Sequence, residues 1–191
     1  FMYNFIFDID DTLYQNQTLE KPLSKDLFHM YFLYSQEINY KKKNAILEKI
    51  ILRYQKTFKY DRYLDTLMEK IPYPKHIITN SRNIHCFITL YLLGMKKHMN
   101  IILTAETQNR MKPYPMVYKH FEKLNQKNYQ NIFFDDKIEN LIVPNSLGWI
   151  TVLINPDIYI KKIITPYIDY VFYDIYQALQ YFHLQINNKN K

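Results

Sequence analysis

The 191-residue chain is poor in glycine, cysteine and tryptophan, with two, one and one respectively. The lone Cys86 excludes an intramolecular disulfide. Its setting, Asn83-Ile84-His85-Cys86-Phe87-Ile88, reads as an apolar helix holding an inert buried thiol. That usage fits a reducing, cytoplasmic compartment. No apolar run approaches the ~18 residues needed to cross a bilayer. No basic segment followed by a long apolar stretch marks a secretory signal. Glycine- or serine-rich linkers are missing, so composition draws no domain border, and no internal repeat is visible. The histidines are few and scattered, six in all, and none suggests a ligand by its position.

What is present is an apolar and basic chain. With 48% hydrophobic residues it is long enough to bury a core of its own, as one domain or one domain with a small insertion. The formal charge is +7, which favours an anionic partner, either nucleic acid or a phosphorylated small molecule. The lysines and arginines are dispersed, however. The densest groups are Lys41-Lys42-Lys43, beside a helix, and the polar tail 187–191. Asn, Lys, Ile, Tyr and Phe share AT-rich codons, so the lysine excess speaks less to function than to genome composition. A nucleic-acid partner is therefore only weakly supported.

Periodicity divides the chain. Residues 2–8 read as a buried strand. Residues 15–23 contain Pro22 and read as a loop, and Ser24 as the N-cap of a helix carrying Leu27, Met30, Tyr31 and Tyr34. Further helices fit 44–58 and 61–70, the latter with Tyr63, Leu64, Leu67 and Met68 inward. From Lys75 strands and helices alternate: strands at 76–79, 101–103, 132–135, 149–154 and 170–172. The helices between them end near Leu93, with Gly94 as a stop, near Leu124, at 138–147, where Pro144 should kink or restart the helix, and at 174–184. The expectation is an α/β fold: a Rossmann-like parallel sheet with helices on both faces, formed by 1–15 and 73–191, plus a small all-helical cap at 16–72.

Open α/β sheets bind ligands at the carboxyl ends of their strands. The first strand ends at Asp8, with Asp10 and Asp11 beyond it. The second ends at Thr79, and the strand Ile132-Phe133-Phe134 at Asp135 and Asp136; Lys112 lies in a loop entering a helix. Carboxylates gathered on one rim repel, and stay ionised only with a cation. Oxygen donors without histidine or cysteine suit Mg²⁺, which keeps few protein ligands and shares a phosphate. Asp8 and Asp135 suit direct ligation, Thr79 can donate to a phosphate, and Lys112 can offset its charge.

These segments resemble the motifs of the haloacid dehalogenase-like (HAD) phosphatases: FIFDIDDTL, IITNS, the lysine of RMKPYP, and NIFFDDKIEN, in order, across residues 2 to about 155. The resemblance implies that Asp8 is the nucleophile forming an aspartyl-phosphate. It implies that Asp10 protonates the leaving oxygen and then activates water, its backbone carbonyl also ligating Mg²⁺. It makes Thr12 a brace for the loop, Thr79 and the Asn80 amide phosphate ligands, and Lys112 a bridge from Asp8 to phosphate. Asp135 would hold Mg²⁺, with Asp136, or Asn140 through water, assisting. Plainer roles stand beside these: Asp136 as a cap for the next helix, Thr79 as a turn residue, Lys112 as a solvated lysine. Dehalogenating members lack an acid at the position of Asp10, because a halide leaves unprotonated, so Asp10 argues for phosphoryl transfer.

The pattern is closest to the pyrimidine 5′-nucleotidase branch, which implies a small phosphorylated substrate such as a nucleoside monophosphate. That branch carries a nucleotide-contacting segment in its cap, for which Tyr54-Gln55-Lys56-Thr57-Phe58 is the candidate here. The stripe Tyr31, Phe32, Tyr34 reads as cap core rather than a base-stacking platform. A phosphatase on a nucleic-acid end or a protein, and a catalytically idle binding protein on the same fold, are the alternatives.

Overall fold

A computed structural model of the chain describes residues 2–15, 25–108, 110–125, 128–157 and 166–189. Short apolar runs, buried on both sides, form six strands: β1 (Tyr3–Phe7), β2 (Lys75–Ile78), β3 (Met99–Leu103), β4 (Gln130–Asp135), β5 (Ile150–Ile154) and β6 (Tyr170–Phe172). They make one sheet in the order β3-β2-β1-β4-β5-β6. Every pairing is parallel, so all six carboxyl ends share one rim. The described residues contain α1 (Lys25–Gln36), α2 (Tyr40–Gln55), α3 (Arg62–Lys70), α4 (Asn83–Leu92), α5 (Pro115–Leu124), α6 (Ile138–Ser146) and α7 (Ile175–Lys189). This is the expected doubly wound α/β architecture, and β1 sits at the switch point where the chain, having run outward to β3, returns to build β4 on the other side.

Strand alternation splits the core into two layers. Ile6, Ile78, Phe133 and Leu153 pack with Val117, Tyr118 and Phe121 of α5, Leu141 of α6, and Trp149. On the opposite face Phe5, Phe7, Ile77, Phe134 and Val152 pack with Cys86 and Leu90 of α4 and with Leu179 and Phe182 of α7. Cys86 is free and buried, and its thiol is pushed up to about 12, chiefly by burial. No described helix is long and apolar enough to cross a membrane.

Among the described residues between β1 and β2, helices are the regular elements. Helices α1 and α2 pack together, and Leu27, Tyr31, Ile50 and Tyr54 from them, with Phe58 just after α2, join the same apolar cluster as the sheet. Helix α3 packs instead on α7, where Tyr63 stacks on Tyr176 at 5.6 Å and Tyr176 Oη donates to Asp61 at 2.6 Å. Tyr63 was expected inward but is 51% exposed, because it covers α7 rather than entering the core. Of the expected aromatic stripe, Tyr31 is buried and Phe32 exposed. The loop and Ser24 cap expected before α1 lie outside the described residues.

Three boundaries differ from expectation for local reasons. Helix α2 begins at Tyr40 rather than Asn44, because Asn39 caps it by accepting from the Lys42 amide at 3.2 Å. Helix α7 runs on to Lys189. Pro144 does not restart α6, which runs unbroken from Ile138 to Ser146 with Pro144 in its last turn. The carbonyl its missing N–H would have bonded is that of Asn140, which accepts instead from Tyr118 Oη at 2.8 Å. The expected stop after α4 is present: Gly94 has φ +80°, and a Cβ there would run into the Tyr60 ring.

Candidate active site

The loop after β1 turns sharply. The Leu13 amide returns to the Ile9 carbonyl at 2.9 Å, and Asp11 takes φ 57°, a left-handed conformation that Asp tolerates better than most side chains. The turn brings Asp8, largely buried, and Asp10, partly exposed, to the rim, while Thr12, fully buried, stands inside the loop.

Lys112 is the centre of charge. Its ammonium lies 2.9 Å from Asp8 Oδ1 and 2.6 Å from Asp135 Oδ2, and all three side chains are buried. Asn80 fixes the loop that carries it: Asn80 Oδ1 accepts from the Lys112 amide at 2.8 Å, and Asn80 Nδ2 donates to the Lys112 carbonyl at 3.0 Å. Asp135 Oδ1 accepts from the Lys137 amide and from Asn140 Nδ2, each at 2.9 Å. Asn140 thus orients Asp135. Thr79 Oγ1 accepts from the Ser81 amide at 3.1 Å, which holds its hydroxyl at the end of β2.

The carboxylates lack enough positive charge. Oxygens of Asp8, Asp135 and Asp136 all lie within 4.8 Å of one another, and Lys112 is the cation paired among them. Burial, with Asp135 and Asp10 nearby, pushes Asp8 up to about 6 against the pull of Lys112. Asp136 rises to about 7 through burial and the charges of Asp135 and Asp8. For Lys112, burial opposes the charged form, yet Asp135 and Asp8 hold its proton above the ordinary lysine range. Asp136 does not cap α6, which has no side-chain cap; its Oδ1 is buried without a hydrogen-bond partner. An oxygen-only donor set, an under-neutralised trio and an orphaned carboxylate oxygen all fit a hard divalent cation such as Mg²⁺. Asp8, Asp135 and the Asp10 carbonyl would hold it, with Asp136 beside them.

Asp10 behaves oppositely. Burial would raise it, but hydrogen bonds from His85, Ser81 and Tyr14 outweigh burial and hold it at about 2. His85 Nε2 is 2.6 Å from Asp10 Oδ1, Tyr14 Oη shares that oxygen, and Ser81 Oγ takes Oδ2. Behind His85 stands Tyr54 of α2, its hydroxyl 2.6 Å from Nδ1. None of these four partners was anticipated. The i, i+4 spacings Asp10/Tyr14 and Ser81/His85 were the available signals; nothing local announces Tyr54. In the candidate nucleotide segment Tyr54 and Phe58 are buried and offer no face to a base, while Gln55 and Lys56 are exposed.

The residues read from the four motifs therefore meet. Asp8, Asp10, Thr79, Asn80, Lys112, Asp136 and Asn140 line one cleft of about 200 Å³, and Asp135 lies beneath it on Lys112. No family model matches the sequence, and no curated protein matches it significantly. Solved structures match its fold along nearly its whole length. The HAD-hydrolase YfnB from Bacillus subtilis bound to magnesium is 16% identical with TM-score 0.62, over 95% of this chain and 98% of that one. L-2-haloacid dehalogenase from Xanthobacter autotrophicus, with chloropropionic acid covalently bound, is 9% identical with TM-score 0.62, over 94% and 98%. A structure described as a phosphoglycolate phosphatase from Lactobacillus plantarum is 15% identical with TM-score 0.58, over 92% and 97%. The fold is that of the HAD hydrolases. At these identities the likeness extends to the fold, and the chemistry must be argued from the site.

Proposed function

We propose that the protein is a Mg²⁺-dependent phosphohydrolase that works through an aspartyl-phosphate, on a small phosphomonoester such as a nucleoside 5′-monophosphate. The observation that carries this reading is the ion-pair bridge Asp8–Lys112–Asp135 at the strand ends, with an acid, Asp10, beside it. Lys112 occupies Asp8 Oδ1, which leaves Oδ2 to attack phosphorus. The P–O ester bond breaks as the Asp8–phosphorus bond forms. Thr79 Oγ1 and the Asn80 backbone amide would bind phosphoryl oxygens, a role supported by both residues lining the cleft. Asp10 gives its proton to the leaving oxygen, then takes one from the water that attacks phosphorus and frees Asp8. Hydrogen bonds hold the Asp10 carboxyl low in the free protein, and a phosphoryl dianion beside it would raise it toward protonation. A divalent cation held by the acidic trio supplies charge neutralisation at the phosphoryl oxygens.

The presence of Asp10 favours this reading over dehalogenation, because a halide needs no proton. The nucleotide preference rests on the motif pattern. The test is hydrolysis of p-nitrophenyl phosphate with Mg²⁺ and with EDTA, followed by a panel of phosphorylated metabolites, nucleoside monophosphates first. Mg²⁺-dependent release of phosphate and an acid-stable, hydroxylamine-labile phosphoprotein are expected. Halide release from a 2-haloacid, with no phosphate release from any ester, would overturn it.

A further inference from the structure

Asp10 is the most tightly held acid of the cleft, and the groups that hold it come from three parts of the fold. Tyr14 comes from its own loop, Ser81 and His85 from the β2–α4 segment, and Tyr54 from α2 of the insertion. The His85 side chain is 12% exposed and Tyr54 fully buried, which shields the bond between them, while the Asp10 side chain, 34% exposed, reaches the cleft. Facing a carboxylate, Nε2 must carry a proton and donate it to Asp10 Oδ1, and a Tyr54 O–H donating to Nδ1 would keep the proton there. Oδ1 is then filled by Tyr14 and His85, and Oδ2 is half filled by Ser81. A carboxylate has about four lone-pair positions. The one left open is on Oδ2, and only that position can carry the transferred proton.

We propose that His85 is a positioning residue for Asp10, and that Tyr54 of the helical insertion sets its tautomer. The inference rests on the phosphohydrolase reading and deepens it. The seating of α2 on α4 decides which lone pair of Asp10 faces the leaving oxygen. The insertion therefore acts on the leaving-group step, not only on substrate binding.

The experiment compares an alkyl phosphate with p-nitrophenyl phosphate, whose leaving group departs without protonation. In His85→Ala, kcat for the alkyl ester should fall roughly 100-fold, that for the nitrophenyl ester less than about fivefold, and KM should stay unchanged. His85→Gln, which keeps one donor, should recover part of the loss. Tyr54→Phe, which keeps the ring and its packing, should lose roughly tenfold on the alkyl ester alone. Equal losses on both esters, or a loss confined to KM, would overturn the proposal. A readout independent of turnover is the imidazole proton of His85 by nitrogen-edited NMR. It should exchange slowly in the wild type and vanish in Asp10→Ala, which removes the acceptor. A fast-exchanging ring proton in the wild type would equally overturn it. If the wild type hydrolyses neither ester, the phosphohydrolase reading fails, and the ring proton alone decides whether His85 holds Asp10.

Discussion

Two acidic clusters lie at opposite ends of the sheet, and they differ in how their charge is met. At the carboxyl rim Asp8 and Asp135 share Lys112, Asp136 lies beside them, and its Oδ1 has no hydrogen-bond partner among the described residues. Before the start of β3, Asp65, Glu69 and His98 also lie within 4.8 Å of one another. There Asp65 accepts from Lys97 at 2.9 Å, from Tyr60 and from His98, and Glu69 from Lys97 at 3.2 Å. Burial would raise Asp65, but those bonds outweigh it and hold it at about 2, whereas Asp8 and Asp136 are pushed up to about 6 and about 7. Similar spacing of acids thus means different things. A cluster closed by its own donors holds the fold together; a cluster left short of positive charge is prepared for a ligand.

The largest expected effect is on Asp8. Asp8→Asn should lower turnover on the order of 10⁴-fold with an unchanged circular dichroism spectrum. Asp65→Asn should leave kcat within about twofold. Equal losses in the two variants would erase the distinction between the clusters.

Lys112→Met comes next. It strands Asp8 and Asp135, both buried, so metal-free stability by urea unfolding should drop by about 3–5 kcal/mol. Turnover should fall roughly 10²- to 10³-fold, and added Mg²⁺ should recover part of the stability. A variant as stable as the wild type without Mg²⁺ would show that the rim is not short of cations.

The pH response sharpens the contrast. Asp8 and Asp136 have folded-state values above the unfolded one, so the stability they contribute is full below about pH 4 and is lost as pH rises to about 6 to 7. Metal-free melting temperature should therefore climb by roughly a few degrees as pH falls from 8 to 5. Protons compete with the cation for the same oxygens, so Mg²⁺ affinity by calorimetry should weaken roughly tenfold at pH 5. Asp65 is depressed, so its contribution is present above about pH 4 and lost as pH falls toward 2. A melting curve flat between pH 8 and 5 without Mg²⁺ would contradict the raised rim carboxyls.

The smallest effect is on the closed cluster itself. Asp65→Ala should cost about 1–3 kcal/mol by leaving Tyr60 and His98 without their acceptor. The Mg²⁺-induced rise in melting temperature should match that of the wild type. Loss of that rise would assign the cation to the wrong cluster.

Much of the site was legible because it hangs on local signals. Phe5-Ile6-Phe7 and Ile132-Phe133-Phe134 are short apolar runs whose ends are marked by charge. Once those runs are parallel strands, Asp8, Thr79 and Asp135 must share a rim. The less legible parts depend on partners distant in the chain. Pro144 looked like a break because Tyr118, 22 residues away, was not visible as the donor for the Asn140 carbonyl. Tyr63 looked like core because α7, more than 100 residues on, was not visible as its cover. His85 looked incidental because Asp10 lies 75 positions before it.

The sequence by itself determined the order of elements and the chemical type of each strand end, since apolar periodicity and terminal charge are properties of neighbouring residues. Tertiary structure alone decided the state of each acid. Asp8 and Asp136 are raised and Asp10 and Asp65 lowered according to which distant donors reach them. The physical reason is that burial works against every carboxylate alike, while the hydrogen bonds that oppose it exist only where the chain has already folded.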